Sequence, residues 1–208
     1  MYEHPQQEIA QTKGREMKLD VMLAGVGGQG ILSIATLIGV AAVEAGICLK
    51  QAEAHGMSQR GGDVQSHLRL STEPIYSDLI EKGKADMIMA LEPMEALRYV
   101  QYLSANGMIV TSSAPFVNIP DYPDSGKLER EFDSFPNVVK ADVAERSVQA
   151  GVPRSSNMML LGMAAPFMKI LSPEALHRAV SAFFAPKGEA VVEANLKAFD
   201  IGLEMVEK

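Results

Sequence analysis

The segment LDVMLAGVGGQGILSIATLIGVAAVEAG, residues 19–46, decides how the rest of the chain is read. Leu19 to Ala24 is a short, mostly apolar run that ends in Gly25-Val26-Gly27-Gly28-Gln29-Gly30. Residues 28–45 continue apolar with small side chains interspersed and stop at Gly46, the pattern of a buried helix closed by glycine. Ile47 to Ala52 then reads as a further strand. Strand, glycine turn, helix and strand in this order predict a βαβ unit of a parallel sheet.

Outward from that unit, residues 53–63, EAHGMSQRGGD, form a polar loop punctuated by glycine. Val64, Leu68 and Leu70 alternate with Gln65, His67 and Arg69, which predicts a half-buried strand with His67 and Arg69 on its wet face. Asp86 to Leu91 is a buried strand, and Glu92-Pro93 opens a helix to about Ser104, with proline at the first helical position. Gly107 to Thr111 is the next strand, closed by Thr111-Ser112-Ser113. Residues 114–136 carry Pro115, Pro120, Pro123 and Pro136 with little periodicity and read as an irregular excursion. Asn137 to Lys140 adds a short strand. Helices follow at 144–150, 157–170, 173–184 and 189–206, with Ser172-Pro173 as a start signal and Asn157 as a cap. His177, beside Arg178 on one of them, needs no special role. The expected architecture is α/β: a doubly wound, mainly parallel, Rossmann-like sheet with a helical C-terminal third. Residues 1–17 are a polar, aperiodic arm, and 18–208 form a single domain.

Composition narrows the function. Net charge is −7 and no Lys/Arg block occurs, which argues against nucleic acid as a partner. Cys48 is the single cysteine, so the chain can neither close an internal disulfide nor ligate an iron–sulfur cluster by itself. The four histidines lack metal-binding spacing, so no metal site is expected. The most apolar stretch, Ile31 to Val43, is shorter than the roughly 18 residues of a membrane span, and the N-terminal residues have no apolar core for export. A cytoplasmic protein without a membrane partner is expected. With tryptophan absent, the core must draw on aliphatic residues and the 13 methionines.

Ligands of an open parallel sheet gather outside the carboxyl ends of the strands. That edge collects the Gly25–Gly30 turn, the Glu53–Gly62 loop, Glu92 and Thr111–Ser113. Gly25, Gly27 and Gly30 satisfy G-x-G-x-x-G after a strand and into a helix, and Gly28 lies between them. Such a turn lets a phosphate approach the backbone and the start of the helix, or it simply permits a tight connection; both readings stay open. Glu53, at the end of the second strand, stands where a dinucleotide fold keeps its ribose-gripping acid, so a self-sufficient NAD(P)- or FAD-dependent oxidoreductase is one alternative. In the next loop His55 can shuttle a proton, and Arg60, with Gln59 and the paired Gly61 and Gly62, can clamp a carboxylate or phosphate. The serines have no context that singles out a nucleophile, so no catalytic set is complete on this chain.

Several segments carry a more specific resemblance. GVGGQG at 25–30 resembles the opening of the gamma subunit or domain of 2-oxoacid:ferredoxin oxidoreductases. EAHGMSQRGGDVQSHLRL at 53–70 is similar to the form found in small subunits of the indolepyruvate branch. ADMIMALEPMEALRY at 85–99, SNMMLLG at 156–162 and ANLKAFDIG at 194–202 resemble later segments of the same family, in the same order. The resemblance implies an accessory subunit. Its large partner would carry thiamine diphosphate and the iron–sulfur clusters. The complex would decarboxylate an aryl pyruvate, pass two electrons to ferredoxin and transfer the acyl group to coenzyme A. Nothing in this chain resembles a thiamine-diphosphate motif. Coenzyme A, with its phosphates, is the anion that the glycine turn would meet.

Overall fold

Alternation along β1 (Lys18–Val26) sends Val21 and Leu23 to one face and Met22 and Ala24 to the other. A strand apolar on both faces must be covered on both, and it is. A computed structural model describes residues 17–55, 61–117 and 119–206. Its six-stranded sheet has β1 inside, flanked by β3 (Asp63–Ser71) and β4 (Ala85–Ala90). Beyond β3 lies β2 (Cys48–His55), and beyond β4 lie β5 (Leu103–Ser112) and β6 (Val138–Ala141). Every strand runs the same way except β3, which is antiparallel to both neighbours.

One face of the sheet packs against α1 (Ile31–Glu44), α5 (Ser156–Ala164), α6 (Pro173–Phe184) and α7 (Glu189–Glu204). The other face is covered by α2 (Pro93–Arg98) and α3 (Ser125–Phe132), which contribute Ala96 and Phe132 to a smaller core. The short α4 (Val143–Gln149) leads from β6 into the helical third. The α/β class, the helices on both faces and the C-terminal helical third agree with the sequence reading.

Several local expectations need correction. The first βαβ unit does not place its two strands side by side, because β3 returns between them. The helix expected to run to Ser104 stops at Arg98, and after a 3-10 turn at Val100–Tyr102 the chain is already in β5. The excursion at 114–136 contains α3, capped by the Asp124 carboxylate, which accepts from Lys127 N–H at 2.9 Å. Leu128 and Phe132, four residues apart, are buried there. The helix expected over 157–170 ends at Ala164, and Pro166 turns the chain into a 3-10 segment because it has no N–H to continue the ladder.

The wet face assigned to His67 and Arg69 is largely covered, with His67 buried and Arg69 partly so. The connection from β3 to β4 folds back over it: Ile80 N–H donates to His67 Nδ1 at 3.1 Å, and Tyr102 meets the imidazole edge-on at 5.3 Å. Arg69 forks onto the buried Asp20, with Nε–Oδ1 at 2.8 Å and Nη2–Oδ2 at 3.1 Å, and its Nη1 donates to the carbonyls of Ser77 and Leu79. Among the described residues no helix is long and apolar enough to cross a membrane.

Candidate functional site

Because β1 and β3 are antiparallel with Val26 opposite Asp63, the end of one strand and the start of the other lie at the same edge of the sheet. The glycine turn and the tail of the second loop must therefore meet. Gly27 N–H donates to Gly62 O at 2.8 Å, and Gly61 N–H donates to Gly27 O at 3.4 Å. This clasp makes one structure of the two loops that the sequence singled out.

The turn is braced from two more sides. Gln29 folds its amide back so that Oε1 accepts from Val26 N–H at 2.8 Å and Nε2 donates to Leu91 O at 3.4 Å. Asn157, at the start of α5, donates from Nδ2 to Gly30 O at 3.3 Å. It was expected as a helix cap, but Ser155 holds the cap position and Asn157 reaches across to the turn instead. Gly30 has φ +83, which demands glycine, and a Cβ there would stand 2.7 Å from Asn157 Nδ2 and displace that amide. Gly28 has φ +102 with open space around it, whereas a Cβ on Gly25 would stand 3.1 Å from Gln29 Oε1.

This bracing decides which donors remain. The Gly27 amide is spent on Gly62, and that of Gln29 on Val26 O. Among the described residues the amides of Gly28, Gly30 and Ile31 have no such acceptor. The α1 start has no side-chain cap and no acidic residue in its first turn, and the same holds for α5 beside it. Side chains of Glu92, Asp124, Asp142 and Ser172 cap α2, α3, α4 and α6. Two helix starts with unmasked partial positive charge thus lie at one turn, an arrangement suited to an anion.

The other expected residues are distributed unevenly. Glu53 is exposed near the end of β2 and accepts from Gln51 Nε2. With β3 interposed, β2 lies two strand spacings from β1, roughly 10 Å, too far for the ribose-gripping geometry of a dinucleotide fold. His55 ends β2, while Gln59 and Arg60 lie outside the described residues. Thr111 and Ser112 are buried at the end of β5, and Ser112 Oγ accepts from Ala114 N–H.

Glu92 does more than open its helix. Fully buried, it accepts from Glu95 N–H at 2.8 Å, from Phe116 N–H at 3.3 Å and from the Tyr122 hydroxyl. It thereby ties the proline-rich excursion to the carboxyl edge. Burial and the hydrogen bond to Glu92 push the Tyr122 phenol well above its usual range. Nearby, Tyr99 donates to Asp63 at 3.3 Å and is raised likewise, first by burial and then by the charge of Asp63. Glu95 is raised by burial against the opposing pull of Arg98. The sequence did not point to Gln29, Tyr99 or Tyr122; only Gln29, inside the glycine motif, carried a signal. A cleft of about 320 Å³ between the excursion and α3 is lined by Pro93, Pro115, Tyr122, Phe132 and Lys140. Its lysine is paired with Glu129, so the cleft has no spare cation for a phosphate and the glycine turn remains the better anion site.

The family model described as pyruvate ferredoxin/flavodoxin oxidoreductase matches residues 20–205. The chain belongs to this family. Among its members it is similar to the indolepyruvate oxidoreductase subunit IorB of Pyrococcus horikoshii, at 34% identity over 89% of this chain and 94% of that protein. The subunit of the same name from Archaeoglobus fulgidus is 32% identical over the same shares. The fold recurs in the gamma subunit of a keto/oxoacid ferredoxin oxidoreductase from Geobacter sulfurreducens, with TM-score 0.65, 23% identity and coverage of 91% of this chain and 98% of that one. It recurs also in the 2-oxoglutarate:ferredoxin oxidoreductase of Magnetococcus marinus, solved with 2-oxoglutarate, coenzyme A and succinyl-CoA bound, with TM-score 0.72 and 23% identity. There 91% of this chain is matched, yet it spans only 31% of that longer chain. The same fold thus occurs both as a separate polypeptide and as about a third of a larger one.

Proposed function

We propose that this chain is the small subunit of a cytoplasmic, ferredoxin-dependent 2-oxoacid oxidoreductase of the indolepyruvate type, working with a large subunit. The observation that carries the reading is its likeness, over nearly the full length of both chains, to separately encoded indolepyruvate oxidoreductase subunits. The cysteine arithmetic supports it: with Cys48 alone, the clusters that feed ferredoxin belong on the partner. Thiamine diphosphate and iron–sulfur clusters on that partner would supply decarboxylation and electron transfer.

What this chain adds is its carboxyl edge. The unpaired amides at the start of α1 suit a phosphate of coenzyme A, the acyl acceptor of the reaction. The loop at 53–62, with His55, Gln59, Arg60, Gly61 and Gly62, would face the partner's active site, and its clasp onto Gly27 would hold it there. Gly27 itself serves the clasp, and Gly28 and Gly30 the ligand. The self-sufficient dinucleotide alternative has lost its acid, since Glu53 sits two strands away.

The test is reconstitution. The purified chain, supplied with aryl pyruvate, thiamine diphosphate, coenzyme A and oxidised ferredoxin, should show no turnover. Addition of the large subunit should produce reduced ferredoxin and acyl-CoA. Turnover by the isolated chain, with the partner excluded by mass spectrometry, overturns the proposal.

A further inference from the structure

Asn157 is a half-buried amide in the first turn of α5, whose N-cap position is held by Ser155. Its side chain is used at both ends, one within its own helix and one across to the glycine turn. Oδ1 accepts from Met158 N–H at 3.0 Å and Nδ2 donates to Gly30 O at 3.3 Å, across 127 positions of sequence. The Gly30 carbonyl also accepts the first hydrogen bond of α1, from Ser33 N–H at 3.1 Å. Asn157 therefore grips the peptide group on which α1 begins, directly beside the amides of Gly28, Gly30 and Ile31, which have no backbone acceptor of this kind among the described residues.

The chemical character of the grip matters as much as its position. Two uncapped helix starts lie here, and for the protein alone an aspartate would be at home, since it favours helix starts and complements their partial positive charge. Aspartate could not donate to the Gly30 carbonyl, and its charge would oppose an incoming anion. A neutral carboxamide does the mechanical work and leaves the electrostatic attraction to the ligand. Donors fixed in advance cost no reorganisation when the ligand arrives.

We propose that Asn157 is a positioning residue: it holds the Gly30 carbonyl so that the amides at the start of α1 stay aimed at a coenzyme A phosphate, while its neutrality keeps that site attractive to anions. This rests on the reading that coenzyme A meets the glycine turn.

The experiment uses the reconstituted complex in three forms: wild type, Asn157→Ala and Asn157→Asp. Calorimetric Kd for coenzyme A, KM for coenzyme A, kcat at saturating coenzyme A and thermal melts are measured for each. Amide hydrogen exchange of the segment around residues 24–34, with and without coenzyme A, checks the underlying reading in the wild type. Asn157→Ala should raise Kd and KM about fivefold, the net worth of one hydrogen bond, with kcat and melting temperature little changed. Asn157→Asp should raise both about tenfold or more, with the excess over alanine shrinking at high salt as the added charge is screened. Aspartate keeps the size and the helix-start preference of asparagine, so it decides the matter where the alanine variant fails to assemble. Wild-type-like Kd in Asn157→Asp, or a lowered melting temperature with unchanged Kd in Asn157→Ala, overturns the positioning role. If coenzyme A leaves exchange at the turn untouched in the wild type, the coenzyme A reading falls first. If exchange slows and both variants bind normally, only the role of Asn157 falls.

Discussion

Along β3 the side chains of Val64, Leu68 and Leu70 enter the core beneath α1, whereas those of His67 and Arg69, one residue out of phase, enter the opposite face. On the first face the sheet meets four helices, and the buried side chains are overwhelmingly aliphatic or methionine. On the second, two short helices and irregular segments do the covering. There Asp20, His67, Glu92, Glu95 and Tyr99 are buried, each with a named partner. One face is stabilised by area and close packing, which is non-directional. The other depends on directional pairs that are costly to break. The carboxyl-edge site lies where the two meet, with the glycine turn leading into the helical face and Glu92 on the polar one.

The sharpest way to break this comparison lies in the helical face. Here α5 and α7 cross so closely that a Cβ on Gly162 would stand 2.0 Å from Phe199 O, and one on Gly202 2.0 Å from Met159 O. Backbone cannot yield there without moving a whole helix, so Gly162→Ala should cost about 3 kcal/mol or more, read from urea unfolding. A loss under about 1 kcal/mol would mean that this face is loosely packed after all.

Arg69→Ala tests the polar face. Among the described residues it leaves the buried Asp20 carboxylate with Lys18 alone, at 3.2 Å and half exposed, and removes the guanidinium donor from the Ser77 and Leu79 carbonyls. A loss of about 2–3 kcal/mol is expected, mostly from the stranded carboxylate. Arg69→Ala should also raise hydrogen exchange in 77–80, a change that Gly162→Ala should not share.

The smallest effect is a pH dependence. Burial, and after it the charge of Arg69, lowers the pKa of His67, whose Nδ1 must be unprotonated to accept from Ile80. The unfolded chain thus takes up the proton at higher pH than the folded one. Its contribution to stability is complete above about pH 6.5 and is lost as pH falls below that, until the folded value is reached. His67→Gln should flatten this part of the acid slope when urea midpoints at pH 7.5 and pH 5.5 are compared. An unchanged slope would assign the acid sensitivity to another group.

What the residues determine alone is what depends on near neighbours in the chain. The β1–turn–α1 unit, the alternation in β3, the Ser172–Pro173 helix start and the limits set by Cys48 were all legible, because periodicity, capping and ligand number are local properties. α3 was equally local, with Asp124 and the Leu128–Phe132 pair in view, but the surrounding prolines outweighed them. At the site, the two glycine loops were legible as separate features. Their clasp was not, since it follows from the antiparallel register of β1 with β3, and an alternating strand looks the same in either direction. The same insertion of β3 moved Glu53 away from the turn, and the returning 72–84 segment buried His67 and partly covered Arg69. Asn157 met Gly30, and Gly162 met Phe199, only once distant segments had packed. Hydrogen-bond partners, desolvation and steric clearance are set by atoms far along the chain, so no local pattern encodes them, and tertiary structure alone decides them.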